Sequence, residues 1–326
     1  MKSTIFKLGF CIAASACSLL ASAQTWPTKT ITWVVPFAAG GPTDAMARSI
    51  ADRVSKNVGQ GIIIENVGGA GGTIGATKAA RASPDGYTFL VGHLGYMAAA
   101  PSLYPKLAYD PIKDFDAVFR FPDTPMVLLV PTSSPHKSAA DLIAFAQKTP
   151  GRVTFGHAGV GSTSHLVAAM FTNKAGIDVT TVPYRGAAPA MNDLIGGMVD
   201  AMFDQTNTAL PQVQSGRVRA IAITSQHPIA QFPGVAALAE KTLPSFEAST
   251  WYGLYAPKGT PTDVINKLHQ AYVKALTDSA WTKQMADQGV RLLSDGQYAP
   301  AEFSKHTAAE VARWRQVTTE AKITLE

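Results

Sequence analysis

At 326 residues, with 46% apolar side chains and a formal net charge of +5, the chain is long enough for two cored domains of ordinary size. Its positive charge is dispersed: no Lys/Arg cluster stands out beyond a mildly basic isoelectric point, so the electrostatic footprint of a nucleic-acid binder is missing. No low-complexity segment appears.

The N-terminus carries Lys2 and Lys7, an apolar run over residues 8–20 and the small-residue triplet Ala21-Ser22-Ala23, the pattern of a secretory signal peptide. The run is shorter than the roughly 20 apolar residues that a bilayer span needs. Cleavage is expected after Ala23, which makes the protein periplasmic. The cut also removes both cysteines, Cys11 and Cys17, and lowers the net charge from +5 to +3. A mature chain without cysteine has no disulfide, no thiolate nucleophile and no Cys-ligated metal.

Beyond the leader, short apolar runs without alternation are followed by glycine-rich turns and helical patterns. Residues 30–35 form a β-branched run, 36–41 a loop, and Pro42–Val58 a helix with apolar positions at Ala45, Met46, Ile50 and Val54. Strands are predicted at 62–64 and 87–91, with an Ala-rich helix between them to about residue 82. Further strands are predicted at 127–130, 153–155, 179–182, 200–203 and 220–223, with helices at 138–148, 162–174 and 187–194. Residues 251–256 read as a strand, and helices fit 262–277, 279–288 and Pro300–Glu320. Continuous apolar strands alternating with helices predict α/β architecture, with mainly parallel sheets covered on both faces. The C-terminal helices have no sheet partner of their own, so they are expected to return to the first domain. The predicted division is 24–124 plus 250–326 for one domain and 125–249 for the other.

Two strand–glycine–helix junctions, one per half, carry the strongest chemical signal. The first contains Phe37, Ala38, Ala39, Gly40, Gly41 and Asp44, and the second Ala158, Gly159, Gly161, Ser162, Thr163 and Ser164. A helix N-terminus offers unpaired N–H groups and about half a positive charge, which suits an anion. Two such ends facing one cleft would hold a carboxylate without lysine or arginine, although either loop alone also reads as an ordinary cap. Asp44 either completes a cap, accepts from water or a ligand amine, or favours its helix dipole, and Asp204 carries the same ambiguity. Arg185 reads as a salt-bridge partner or a carboxylate clamp.

Enzyme motifs fail in turn. No dinucleotide, nucleotide-loop, nucleophile-elbow or zinc-protease signature is present. His157 and His165 alone are a weak metal pair, and the adjacency of Ser164 and His165 does not make a triad. No catalytic residue, metal ligand or cofactor is assigned.

Several marks together resemble one family. They include Trp26-Pro27, Val34-Val35-Pro36-Phe37 with Gly40-Gly41 and Asp44, Glu65-Asn66, Pro84-Asp85-Gly86-Tyr87-Thr88 and Tyr109-Asp110-Pro111. Gly161-Ser162-Thr163-Ser164-His165-Leu166, Val182-Pro183-Tyr184-Arg185-Gly186, Phe203-Asp204 and Ala256-Pro257-Lys258-Gly259-Thr260-Pro261 continue the series along nearly the whole mature chain. In these the chain resembles the periplasmic receptors of tripartite tricarboxylate transporters, the Bug proteins. The resemblance implies a two-lobed fold like type II periplasmic binding proteins, closing over a small organic carboxylate for delivery to integral membrane subunits. It implies a monomer that is not an enzyme. It adds a pocket loop at His93, Leu94 and Gly95, and places Asp204 near the cleft floor. In such relatives the first loop holds one carboxylate, partly through water, and the Ser/Thr-rich loop grips the other end. Ala38-Ala39 and Val67-Gly68 stand where relatives often have Pro-Pro and Arg-Pro. The second departure removes a cation and points to a guest with one carboxylate rather than three.

Overall fold

A computed structural model describes residues 26–320 and residue 323; the leader read at residues 1–23, its cleavage point and both cysteines lie outside the described residues. The chain lays down β1 (Ile31–Val35), β2 (Ile62–Asn66), β3 (Thr88–His93) and β4 (Phe115–Arg120) in one sheet. It then passes into a second sheet with β5 (Thr124–Pro131), β6 (Thr154–His157), β7 (Thr180–Pro183), β8 (Ala201–Gln205), β9 (Val218–Ile223) and β10 (Ser249–Thr250), and returns as β11 (Tyr252–Pro257). The main helices are α1 (Pro42–Val58), α2 (Thr73–Ala80), α3 (Ala139–Lys148), α4 (Thr163–Ala175), α5 (Ala187–Ile195), α6 (Thr206–Gln214), α7 (Thr262–Leu276), α8 (Ser279–Asp287) and α9 (Pro300–Glu320). Among the described residues no helix is long and apolar enough to cross a membrane.

The first sheet has the order β2-β1-β3-β11-β4 and the second β10-β5-β8-β6-β7, with β9 also on β5. Within each sheet every strand but one runs the same way: β11 is reversed in the first and β5 in the second. The architecture is therefore α/β with two mainly parallel sheets, as the unalternating apolar runs predict. Their cause is visible in β1, where Ile31, Trp33 and Val35 pack with Met46, Ile50, Leu268 and Tyr272 on one face. Val34 points the other way, into a cluster with Leu90, Ala76, Phe303 and Trp314. The second sheet repeats the scheme, with Leu128 and Phe155 against Leu142 and Phe171 on one side, and Val127 and Met202 against Leu194 and Leu210 on the other. A strand covered twice has no polar face to show.

Among the named elements, β4, α6 and the two-residue β10 escape the sequence reading. β4 carries Asp116 and Arg120 within Phe115–Arg120, and its charge hides an edge strand. Helix α6 holds Pro211 and a run of Thr, Asn and Gln, which mask its helical period. The first two crossing residues after β4 lead to Asp123, which accepts from Arg120 at 2.8 Å and Arg291 at 2.6 Å. Asp123 and Arg291 also exchange backbone hydrogen bonds of 3.1 and 2.8 Å, so this crossing is tied to the loop after α8.

The lobes touch at their rims through glycines. A Cβ on Gly95 would lie 2.5 Å from the Gly161 carbonyl oxygen across the cleft, and one on Gly71 would overlap the Val160 carbonyl. The Tyr104 hydroxyl spans the same seam and donates to the carbonyls of Ala70 and Val160, both at 3.0 Å. Gly95 has no positive φ, so Gly95→Ala perturbs closure rather than local backbone. The variant is expected to keep the wild-type circular dichroism and to show a larger radius of gyration by small-angle scattering. Guest affinity falls about tenfold if closure becomes harder by about 1.4 kcal/mol. An unchanged radius and affinity would remove the glycine contact from the account.

Candidate functional site

The first junction is organised by a carboxylate. Asp44, in the first turn of α1, accepts from the Gly40 N–H at 2.9 Å, from Asn66 Nδ2 at 2.9 Å and from two nitrogens of Arg48, each at 2.9 Å. Burial works to raise this carboxyl's pKa, but the bonds from Arg48, Gly40 and Asn66 outweigh it and hold it below the usual value. With both oxygens engaged, Asp44 shapes the loop. The other end of the loop is held by the Ala38 N–H, which donates to the Arg185 carbonyl of the opposite lobe at 3.3 Å. Arg185 thus contributes its backbone; its guanidinium makes no ion pair among the described residues. Gly41, Thr43 and Asp44 keep N–H groups without acceptors among the described residues, because Gly41 offers α1 no capping side chain.

The second junction is organised by imidazoles. His157 Nδ1 accepts from the Gly159 N–H and His165 Nδ1 from the Gly161 N–H, both at 3.2 Å, and the rings lie 4.7 Å apart. Burial lowers both to about 4, with mutual repulsion adding to the effect at His157, so both are neutral. Ser162 caps α4 by accepting from the His165 N–H, and Ser164 Oγ accepts from the Ala158 N–H at 2.9 Å. Gly159 and Gly161 therefore spend their N–H groups inside the loop. The open donors are the N–H groups of Thr163 and Ser164 at the start of α4.

Between the junctions lies a narrow void of about 300 Å³ lined by Phe37, Gly41, Pro42, Thr43, His93, Ala158, Ser162, Thr163, Ser164, Ala187 and Gln205. No lysine or arginine lines it. Gly40, Gly41 and Asp204 line an adjoining cleft of about 620 Å³ beside α5 and α6. Of the other predicted residues, Ala38 and Ala39 flank the first turn, Leu94 belongs to the core, and Gly95, Gly159 and Gly161 shape the seam. Pro42, Thr43, Ala187 and Gln205 are additions. Ala187 opens α5 after Gly186, so a third strand–glycine–helix junction reaches the void; the glycine before a predicted helix at 187 was the available signal. Gln205 is the last residue of β8 and has no local signature.

Asp204 lies at the end of β8, 2% exposed, with one oxygen accepting from Thr208 at 2.8 Å and the other unpartnered. Burial pushes its carboxyl up to about 7, against hydrogen bonds from Thr208 and the Gln205 N–H. His93 is buried as well and lowered to about 3 by that burial.

Two α/β lobes joined by crossing strands, with open helix ends from both meeting at one void between them, define a solute-binding receptor. The match to known proteins gives the family. Residues 46–323 fit the model described as "Tripartite tricarboxylate transporter family receptor", and the chain belongs to that family. It is similar to BugT of Bordetella pertussis, at 34% identity over 96% of this chain and 95% of that protein. Among solved structures it is similar to MatC of Rhodopseudomonas palustris with bound malate, at 39% identity and a TM-score of 0.86, covering 90% of this chain and 99% of MatC. Rpa4515 of R. palustris with adipate is similar at 34% identity and a TM-score of 0.87, covering 92% and 99%. The family's receptors are periplasmic solute binders rather than enzymes.

These ionisations give the fold opposing pH terms. His93, His157 and His165 are neutral when folded and charge when unfolded, so their stabilisation is complete above about 6.5 and is lost as pH falls towards 4. Asp204 acts oppositely: its raised pKa stabilises the fold at low pH, and that contribution is lost as pH rises from about 4 through about 7. Between pH 7 and pH 5 each of these four groups changes the stability by on the order of 2 kcal/mol, so the three histidines together outweigh the one carboxyl. The urea midpoint is expected to fall on acidification, and to fall further in Asp204→Asn. A midpoint that rises on acidification would contradict the assignment of neutral histidines.

Proposed function

We propose that this receptor captures a small organic carboxylate between its lobes, closes over it and presents the closed form to the integral membrane subunits of a tripartite tricarboxylate-type transporter, without chemical turnover. The observation that carries the reading is the convergence of uncapped N–H groups from α1 and α5 with those of α4 on one void that no basic side chain lines. Each helix end favours an adjacent negative charge by on the order of 0.3–1 kcal/mol. Hydrogen bonds to a charged group add about 1.5–3 kcal/mol each. Malate and adipate in two relatives support a carboxylate as the class of guest.

On this reading the protein is exported with its leader cut after Ala23, acts in the periplasm as a monomer, and folds as domains 24–124 plus 250–326 and 125–249. The crossing at Asp123 lies near one of these limits and serves as the hinge. The ligand-contacting set comprises Phe37, Gly41, Thr43, His93, Ala158, Ser162, Thr163, Ser164 and Ala187, while Asp44 holds the first turn in shape. A ligand-presenting sensor component would use the same site. A serine hydrolase is disfavoured because Ser164 Oγ accepts from Ala158, and the neighbouring His165 Nδ1 is bound to the Gly161 N–H.

Screening organic acids by thermal shift should raise the melting temperature for at least one carboxylate, since a guest that binds only the native state stabilises it. Ser162→Ala and Thr163→Ala should each weaken that acid by about 1–3 kcal/mol in calorimetry if the lost hydroxyl leaves an oxygen unpaired. Unchanged affinity in both would remove the second turn from the site.

A further inference from the structure

We propose that His157 and His165 are positioning residues for the guest, although neither needs to touch it. By accepting the Gly159 and Gly161 amides on uncharged nitrogens, they aim the open donors of α4 and put no negative charge beside a bound anion. This rests on the carboxylate-capture reading above. The two imidazoles clamp the second turn from both of its ends. His157 is the last residue of β6, and its Nδ1 takes the Gly159 N–H at 3.2 Å. His165 lies in the first turn of α4, and its Nδ1 takes the Gly161 N–H at 3.2 Å. Both glycines have left-handed φ, 114° and 81°, so the turn doubles back on the two elements that hold it. The Ser162 N–H is spent on the Gly159 carbonyl at 3.0 Å, and the next two amides, of Thr163 and Ser164, are the ones left open. Holding Gly161 against α4 fixes how the chain enters the helix, and with it the direction of those amides.

A neutral imidazole suits this task where a charged acceptor would not. Accepting at Nδ1 places the ring proton on Nε2, and burial keeps both rings neutral at pH 7. A carboxylate could take the same amide, as Asp44 does in the first turn, but there Arg48 offsets the charge. No lysine or arginine lines the void to do so at the second turn, where an unpaired carboxylate would oppose an anionic guest. His157 is also a poor choice for packing alone. It is fully buried, and its Nε2, which carries the proton, has no acceptor among the described residues. A buried donor without a partner destabilises the fold. An apolar side chain would fill the same space without that cost, so the nitrogen that is bonded accounts for a histidine here.

Calorimetry on the purified protein with acetate, L-lactate, L-malate and adipate tests this, using whichever of the four wild type binds most tightly. His157→Asn and His165→Asn put an amide oxygen where Nδ1 stood and keep the bond to the glycine. His157→Leu and His165→Leu fill the space but accept nothing. Each leucine variant is expected to bind the acid about tenfold or more weakly than its asparagine counterpart, because a buried glycine amide loses its acceptor. Packing alone predicts the reverse order, since asparagine leaves a cavity that leucine fills. His157→Met and His165→Met serve if the leucine variants lose their cooperative melting transition. Equal affinities, or the reverse order, overturn the positioning role and leave carboxylate capture standing. No binding of any of the four acids by wild type overturns both.

Discussion

Hydrogen-bond donors at the buried start of a helix must find an acceptor, and here the chain withholds its own. Gly41 and Gly186 precede α1 and α5 without any capping side chain. Ser162 caps only part of α4. Uncapped N–H groups are tolerable in an open, hydrated cleft and costly in a closed one. Closure therefore favours a guest that brings acceptor oxygens, and an anion does so most strongly because the helix ends are partly positive. Recognition and closure then become one event: the guest completes the bonding that closing the lobes would otherwise leave unmade.

The surrounding structure keeps those donors aimed. Asp44, with Arg48 and Asn66, fixes the first turn, and two neutral imidazoles fix the second by taking up the glycine N–H groups that would otherwise compete. Rim glycines let the lobes approach backbone to backbone, so small main-chain surfaces meet where side chains would hold them apart. Preorganised donors lose little freedom when the guest arrives, which is the general route by which a site with few contacts binds firmly.

Much of the fold was legible because a doubly covered strand leaves an unalternating apolar run, as in Ile31–Val35, and because glycine marks the turn into each following helix. What was hidden depends on distant partners. β4 and α6 have polar sequences that only their packing explains. In the site, the glycine-rich turns announced themselves locally, yet the sequence could not show that Gly159 and Gly161 spend their amides on histidines. Nor could it show that Asp44 is satisfied by Asn66, which lies 22 residues away. The first residues of α5 reach the void only because the lobes fold together, so their part was visible as a helix start and not as a wall. Arg185 illustrates the converse, with a conspicuous cation at a strand end contributing only its carbonyl.

The most direct test is a crystal structure of the protein with the carboxylate that stabilises it most. The account predicts closed lobes and a carboxylate whose oxygens accept from the start of α1 on one side and from Thr163 or Ser164 on the other, directly or through single waters, with no guanidinium or ammonium in contact. A guest held by one lobe alone, or by an arginine or lysine, would contradict it.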